Sequence, residues 1–148
     1  MGTRSILCGI LFCVLGSISG YGQTTVPGGV VSGTWTKANS PYLVQAAIMV
    51  ADGTTLTIEP GVKIEFQGSF KLLVLGNVIA AGAVNDTITF TAADTSKGWL
   101  GVRFENTAST NDTSRFMFCK FQYGKALYTP PLDKGGAFYL ENFSKVVI

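Results

Sequence analysis

"TLTIEPGVKIEFQGSFKLLVLGNVIAAG", residues 55–82, decides the fold, because short apolar strands return along it at an interval of about eight residues. Leu56 and Ile58, Ile64 and Phe66, Leu72 and Val74, and Val78 and Ala80 each alternate with polar or small residues, and Pro60-Gly61, Gly68 and Gly76 separate them. Alternation of period two marks half-buried strands, whereas a helix would place its apolar residues three and four apart. The pattern extends outward on both sides. Ile48 and Val50 precede the Asp52-Gly53 turn, and Ile88 and Phe90 follow "VNDT". Measured over three strands the spacing is 24, with "KIEF" at 63–66 returning as "TITF" at 87–90, Ile64 matching Ile88 and Phe66 matching Phe90. Three strands in that span is the length of one coil of a parallel solenoid.

A second repeat lies downstream. "GVRFEN" at 101–106 and "SRFMF" at 114–118 are echoed by "GAFYLEN" at 136–142 and "SKVVI" at 144–148, with connecting segments of different length. Stacked coils produce this pattern, since the core sets the strands and insertions go to the surface. Asn106 and Asn142 then fall at the sharp bends after their strands, where Asn tolerates left-handed backbone.

Composition agrees. With 148 residues the chain forms one domain, and 47% apolar against 14% charged residues places it among folded chains. Eighteen Gly, with many Thr and Val, favour strands and turns over helices. The formal charge is +2, and the basic residues are scattered among nine carboxylates, so no basic stripe for nucleic acid is present.

Residues 1–22 read as a secretory signal, with Arg4 ahead of "ILCGILFCVLGSI" and small residues at Gly20 and Gly22. The apolar run is too short for a helix to cross about 30 Å of hydrocarbon. Cleavage is expected between Gly22 and Gln23, giving a secreted or cell-surface chain with no transmembrane helix. Neither Cys8 nor Cys13 fits a lipoprotein cut. Cleavage leaves Cys119 alone, so no internal disulfide can form, and its place in "RFMFCKF" reads as a small buried hydrophobe. The chain has no His, which removes Ser-His-Asp chemistry and His-ligated zinc.

In order, "SPYLVQAAIMVADGTTLTIEPGVKIEF", "LLVLGNVIAAG", "ITFTA", "GWLGVRF" and "GGAFYLEN" resemble the right-handed parallel β-helix proteins of the pectin-lyase-like superfold, particularly the N-terminal coils of secreted bacterial examples. The last also resembles the Gly-Gly-Ala repeats of β-helical adhesins. The expected fold is therefore all-β, a right-handed parallel β-helix, with residues 1–22 as signal, 23–42 as linker and N-terminal cap, and 43–148 as the first coils. The strand pattern running to Ile148 adds the expectation that further coils follow and that the last one is an open edge.

The resemblance implies carboxylate-bound calcium and a basic residue in those members that cleave acidic polysaccharide. Here the carboxylates are spread singly, so no catalytic, cofactor or metal residues are assigned, and calcium enters only if the full-length protein is a lyase. Glu105 and Glu141 can align one above the other beside Arg103, as a solvated pair or a cation site. Aromatic residues are the remaining candidates, since sugars stack on exposed rings. Trp35 and Tyr42 read as cap residues and Trp99 as a corner residue, while Tyr128 lies in the insertion "GKALYTPPLDKG" at 124–135, expected to project as a loop. Tyr128 and Trp99 are the candidate ligand contacts. The expected function is a structural, adhesive or carbohydrate-binding module, with a polysaccharide or surface glycan as partner. The alternatives are the non-catalytic start of a polysaccharide lyase or glycoside hydrolase and an exported passenger whose function is set elsewhere.

Overall fold

The computed structural model describes residues 22–129, 132–134 and 136–148, with side chains for all of these except 127–129 and 132–134. The expected signal segment thus lies outside the described residues, apart from Gly22. The chain is all-β and winds through successive coils of three strands. The first holds β1 (Thr24–Val26), β2 (Gly29–Val30) and β3 (Gly33–Trp35), and a short 3₁₀ turn at Lys37–Asn39 leads to the second. The second holds β4 (Tyr42–Val44), β5 (Ile48–Val50) and β6 (Thr55–Ile58), and the third β7 (Lys63–Phe66), β8 (Leu72–Val74) and β9 (Asn77–Ala81). Next come β10 (Ile88–Ala92), β11 (Val102–Glu105) and β12 (Ser114–Met117), then β13 (Cys119–Phe121). After an inserted pair, β14 (Leu127–Thr129) and β15 (Leu132–Lys134), the last coil is completed by β16 (Phe138–Glu141) and β17 (Val146–Val147).

Equivalent strands stack into three five-stranded sheets, ordered β1-β4-β7-β10-β13, β2-β5-β8-β11-β16 and β3-β6-β9-β12-β17. Every pairing between coils is parallel. These are the stacked parallel strands of a solenoid, and they begin earlier than residue 43. Residues 24–35, expected as linker and cap, supply the first strand of each sheet because Val26 and Trp35 already point inward onto the next coil.

Register follows the sequence match in one half of the second repeat and departs from it elsewhere. Val102, Arg103, Phe104 and Glu105 lie beside Phe138, Tyr139, Leu140 and Glu141, as the sequence match requires. Asn106 and Asn142 both take left-handed backbone, with φ of 59° and 56°, and so end their strands at the same place. The other matches slip by two. Ile64 lies beside Phe90 and Phe66 beside Ala92, while Ser114 and Arg115 lie beside Val146 and Val147 rather than Ser144 and Lys145. A two-residue slip leaves every side chain on its own face, so alternation alone cannot detect it.

The inward faces form one core. Val44, Val50, Leu56, Ile64, Phe66, Val74, Val78, Phe90, Trp99, Val102 and Phe104 are all fully buried. Burying each Val, Leu, Ile or Phe side chain contributes about 1.5–3 kcal/mol before ordering costs. Tight corners require glycine where a coil passes its neighbour closely. A Cβ on Gly76 would collide with the carbonyls of Ala51 and Thr54, and one on Gly101, at φ 75°, with the carbonyl of Gly136. The insertion expected as a loop contains an antiparallel pair, with Leu127 beside Lys134, Tyr128 beside Asp133 and Thr129 beside Leu132. Tyr and Thr have the strand preference that such pairing favours.

Candidate functional site

On β6, β9 and β12 the inward positions are Leu56 and Ile58, Val78 and Ala80, and Ser114 and Phe116, all buried. The alternate residues therefore face out. Thr55 sits beside Asn77, and Thr57, Ile79 and Arg115 form the next rung. Thr55, Asn77, Ile79, Asp112, Thr113 and Arg115 line an open groove of about 400 Å³ on this face. Asn77 is only 5% exposed, and its Nδ2 has no hydrogen-bond partner among the described residues. Thr55, Asp112 and Arg115 are exposed around it. The groove thus offers a guanidinium, a carboxylate and hydroxyls, with one unpaired amide donor buried beneath them. That set can bind a polar, hydroxyl-bearing chain from several directions, but it holds no paired acid and base.

The corner that places Asp112 and Thr113 is tied down by polar side chains. Thr107 donates its hydroxyl to the Val74 carbonyl at 2.6 Å. Asn111 donates through Nδ2 to Asp52 Oδ1 at 2.7 Å and to the carbonyls of Leu75 and Ala108 at 2.8 and 3.2 Å, while the Gly53 amide donates to its Oδ1 at 3.3 Å. One side chain so joins corners of three successive coils. Lys145, from the last coil, donates to the carbonyls of Ser109 and Asn111 at 2.6 and 3.1 Å. Ser114, fully buried, accepts from the Val78 amide at 3.0 Å. Sequence reasoning passed over Asn77 and Asn111. The cluster "STND" at 109–112 is a recognisable turn signal for Asn111, but nothing in the sequence says which coils its side chain reaches.

The two aromatic candidates are not brought together. Trp99 is a corner residue, as expected, but its ring is 0% exposed, so its reading as a ligand contact is corrected. It stacks on Phe66 with centroids 4.3 Å apart, and its Nε1 donates to the Gln122 carbonyl at 2.9 Å. A buried indole must satisfy its N–H, and this corner turns the ring inward to do so. Tyr128 lies on β14, and its side chain is outside the described residues. Trp35 and Tyr42 stack at 4.5 Å, and the Tyr42 hydroxyl accepts from the Thr36 amide at 2.7 Å.

Several charged residues away from the groove are engaged locally. Glu105 lies beside Glu141, with Lys71 Nζ 3.2 Å and Arg103 Nη1 3.6 Å from the Glu105 carboxylate. Arg103 is 1% exposed, donates from Nε to the Leu100 carbonyl at 2.9 Å and lies over the Tyr139 ring at 5.5 Å. This is an ion-pair cluster in which two cations flank Glu105. Lys37 grips both oxygens of Asp86 at 2.7 and 2.8 Å. Hydrogen bonds from Lys63 and Gln67 hold the Glu65 carboxyl below its usual range. Asp94 accepts from the Ser96 hydroxyl and from the amides of Ser96 and Lys97, which lowers it to about 2. Burial pushes the Cys119 thiol up to about 11, and its Sγ lies 3.4 Å from the carbonyls of Ala80 and Met117. Among the described residues no three His, Cys, Asp or Glu side chains converge as a metal site would require.

Neither a protein-family model nor a solved structure matches this chain. Over 47 residues it is 45% identical to Protein bark beetle of Drosophila melanogaster. That match covers 32% of this chain and 2% of the relative, so the likeness is one of a segment. Among the described residues no helix is long and apolar enough to cross a membrane.

Proposed function

We propose that this chain is a secreted or cell-surface module of right-handed β-helix type, pectin-lyase-like in its superfold, that serves an adhesive or carbohydrate-binding role through the groove on its third sheet. The observation that carries the binding role is Asn77, an amide held at the groove floor with its Nδ2 unpaired among the described residues. Leaving a buried donor unmade costs about 1–3 kcal/mol, and a ligand oxygen that draws the Asn77 side chain into the groove would recover it. Sugar hydroxyls both donate and accept, which suits the mixture of Thr55, Thr113, Asp112 and Arg115 around the amide. The right-handed turn and the superfold rest on the order of sequence segments together with the three stacked parallel sheets. The segmental likeness to a much longer protein supports a module within a larger architecture.

Chemical-shift titration of the folded chain with neutral and acidic oligosaccharides tests the reading. Saturable shifts confined to the groove residues, weakened at least tenfold by Arg115→Ala, are expected. A folded chain whose groove resonances stay unmoved at millimolar sugar would overturn it. New reducing ends or unsaturated sugar products would instead indicate the lyase or hydrolase reading.

A further inference from the structure

Three Asn-x-Ser/Thr triplets occur in the chain: Asn85-Asp86-Thr87, Asn111-Asp112-Thr113 and Asn142-Phe143-Ser144. Such triplets are acceptors of N-linked glycans in exported chains. The fold does not treat them alike. Asn85 is exposed at the tip of a two-residue turn, closed by bonds from the Ala83 amide to the Asp86 carbonyl at 3.2 Å and from the Asp86 amide to the Ala83 carbonyl at 3.0 Å. Thr87 is exposed as well, while Asp86 between them is held by Lys37. Asn142 occupies the left-handed corner after β16. It and Ser144 are exposed, and Phe143 between them turns inward to stack on Phe104 at 5.4 Å. In both triplets the acceptor and the hydroxyl residue face solvent and the middle residue anchors the backbone. Val84, a β-branched residue 75% exposed beside Asn85, is apolar surface that a bulky glycan would cover.

Asn111 is the opposite case. Its side chain is buried, with Nδ2 donating to Asp52, Leu75 and Ala108, so no room or free valence remains for a sugar once the corner closes.

We infer that Asn85 and Asn142 are N-glycosylation sites and that Asn111, despite its triplet, stays unmodified in the folded chain. The inference rests on the proposed export, and it requires a secretory pathway that supplies an oligosaccharide carried on a lipid pyrophosphate. In the transfer, Asn Nδ2 forms a bond to the anomeric carbon of the oligosaccharide, the bond from that carbon to the pyrophosphate oxygen breaks, the lipid pyrophosphate leaves, and Nδ2 gives up one of its two protons. Chains that take a glycan on Asn111 before folding cannot close the 106–113 corner and are lost from the folded pool.

The test is expression of the full chain in insect cells, followed by mass spectrometry of protein from the medium and from the cell, before and after an amidase that removes N-glycans and leaves Asp. The secreted chain should carry two glycans, Asn85→Gln and Asn142→Gln should each remove one, and the amidase should leave Asp at 85 and 142 with Asn kept at 111. Secreted, folded protein without glycans would overturn the inference and leave the export reading standing. Unglycosylated protein retained in the cell with Met1 intact would overturn both. A glycan at Asn111 in the folded secreted pool would overturn the division that the buried side chain imposes.

Discussion

The coils from β4 to β9 and those from β10 onward use the same three sheets and differ in how they fill and close them. The earlier coils bury Val44, Ile48, Val50, Leu56, Ile58, Ile64, Leu72 and Val74, with Tyr42 and Phe66 as their buried aromatics. Their corners are short, and one is the Asp52-Gly53 turn with Gly53 at φ 70°. The later coils bury Phe90, Trp99, Phe104 and Phe116 and pack Phe121, Phe138 and Phe143 against them, with longer corners at 93–101 and 106–113. Phe90 stacks on its register partner Phe121 at 4.8 Å, which is the spacing of neighbouring strands. Parallel stacking therefore suits flat rings as well as aliphatic ladders. What differs is the demand on the corners. An aliphatic ladder needs only alternation, whereas rings must be oriented, and the long corners that orient them are tied by Trp99 Nε1, Thr107, Asn111 and Lys145.

Mutations can break that contrast. Trp99→Ala should have the largest effect, about 3–5 kcal/mol, because it empties a fully buried corner and releases the rings stacked on it. Denaturant unfolding checks it, and a loss under 1 kcal/mol would show that the corner collapses without cost. Asn111→Ala should cost about 1–3 kcal/mol, since it leaves the Leu75 carbonyl, the Gly53 amide and Asp52 without that partner. Amide exchange should then quicken at residues 106–113 before it quickens in β4 or β5. Uniform quickening would mean that the corner and the early coils form one cooperative unit. Ile48→Val in the aliphatic ladder should cost only about 0.5–1.5 kcal/mol. A value equal to that of Trp99→Ala would erase the distinction between the two regions.

The smallest effect should come from pH. The folded-state carboxyl of Asp94 is lowered to about 2, so its bonds to Ser96 and Lys97 help the folded state above the unfolded carboxyl value near about 4 and are lost as pH falls toward 2. Asp94 is exposed, so the change should be local. Exchange of the Ser96 and Lys97 amides should speed up across that window, and Asp94→Asn should abolish the pH dependence while leaving β4 to β9 unmoved.

Particular residues show how far the sequence could be read. Ile64, Phe66, Leu72 and Val74 were legible as inward positions because alternation is a property of neighbours in the chain. Asn106 and Asn142 were legible as corners because few residues accept left-handed backbone. Trp99 was legible as a corner residue, but whether its ring faced solvent or core depended on Phe66 and on the Gln122 carbonyl, neither near it in sequence. The groove was not legible, since Thr55, Asn77 and Thr113 come from three coils and meet only after stacking.

The sequence by itself determined an all-β chain, the inward and outward face of each strand in the repeat, and the match of 102–106 with 138–142. The tertiary structure alone decided the two-residue slips that set Ile64 beside Phe90 and Ser114 beside Val146, the first coil at 24–35, and the burial of Asn77, Asn111 and Trp99. The reason is physical. Which face a side chain takes depends on a period of two, written locally, whereas which residue lies above it depends on corner length and on packing between coils far apart in the chain.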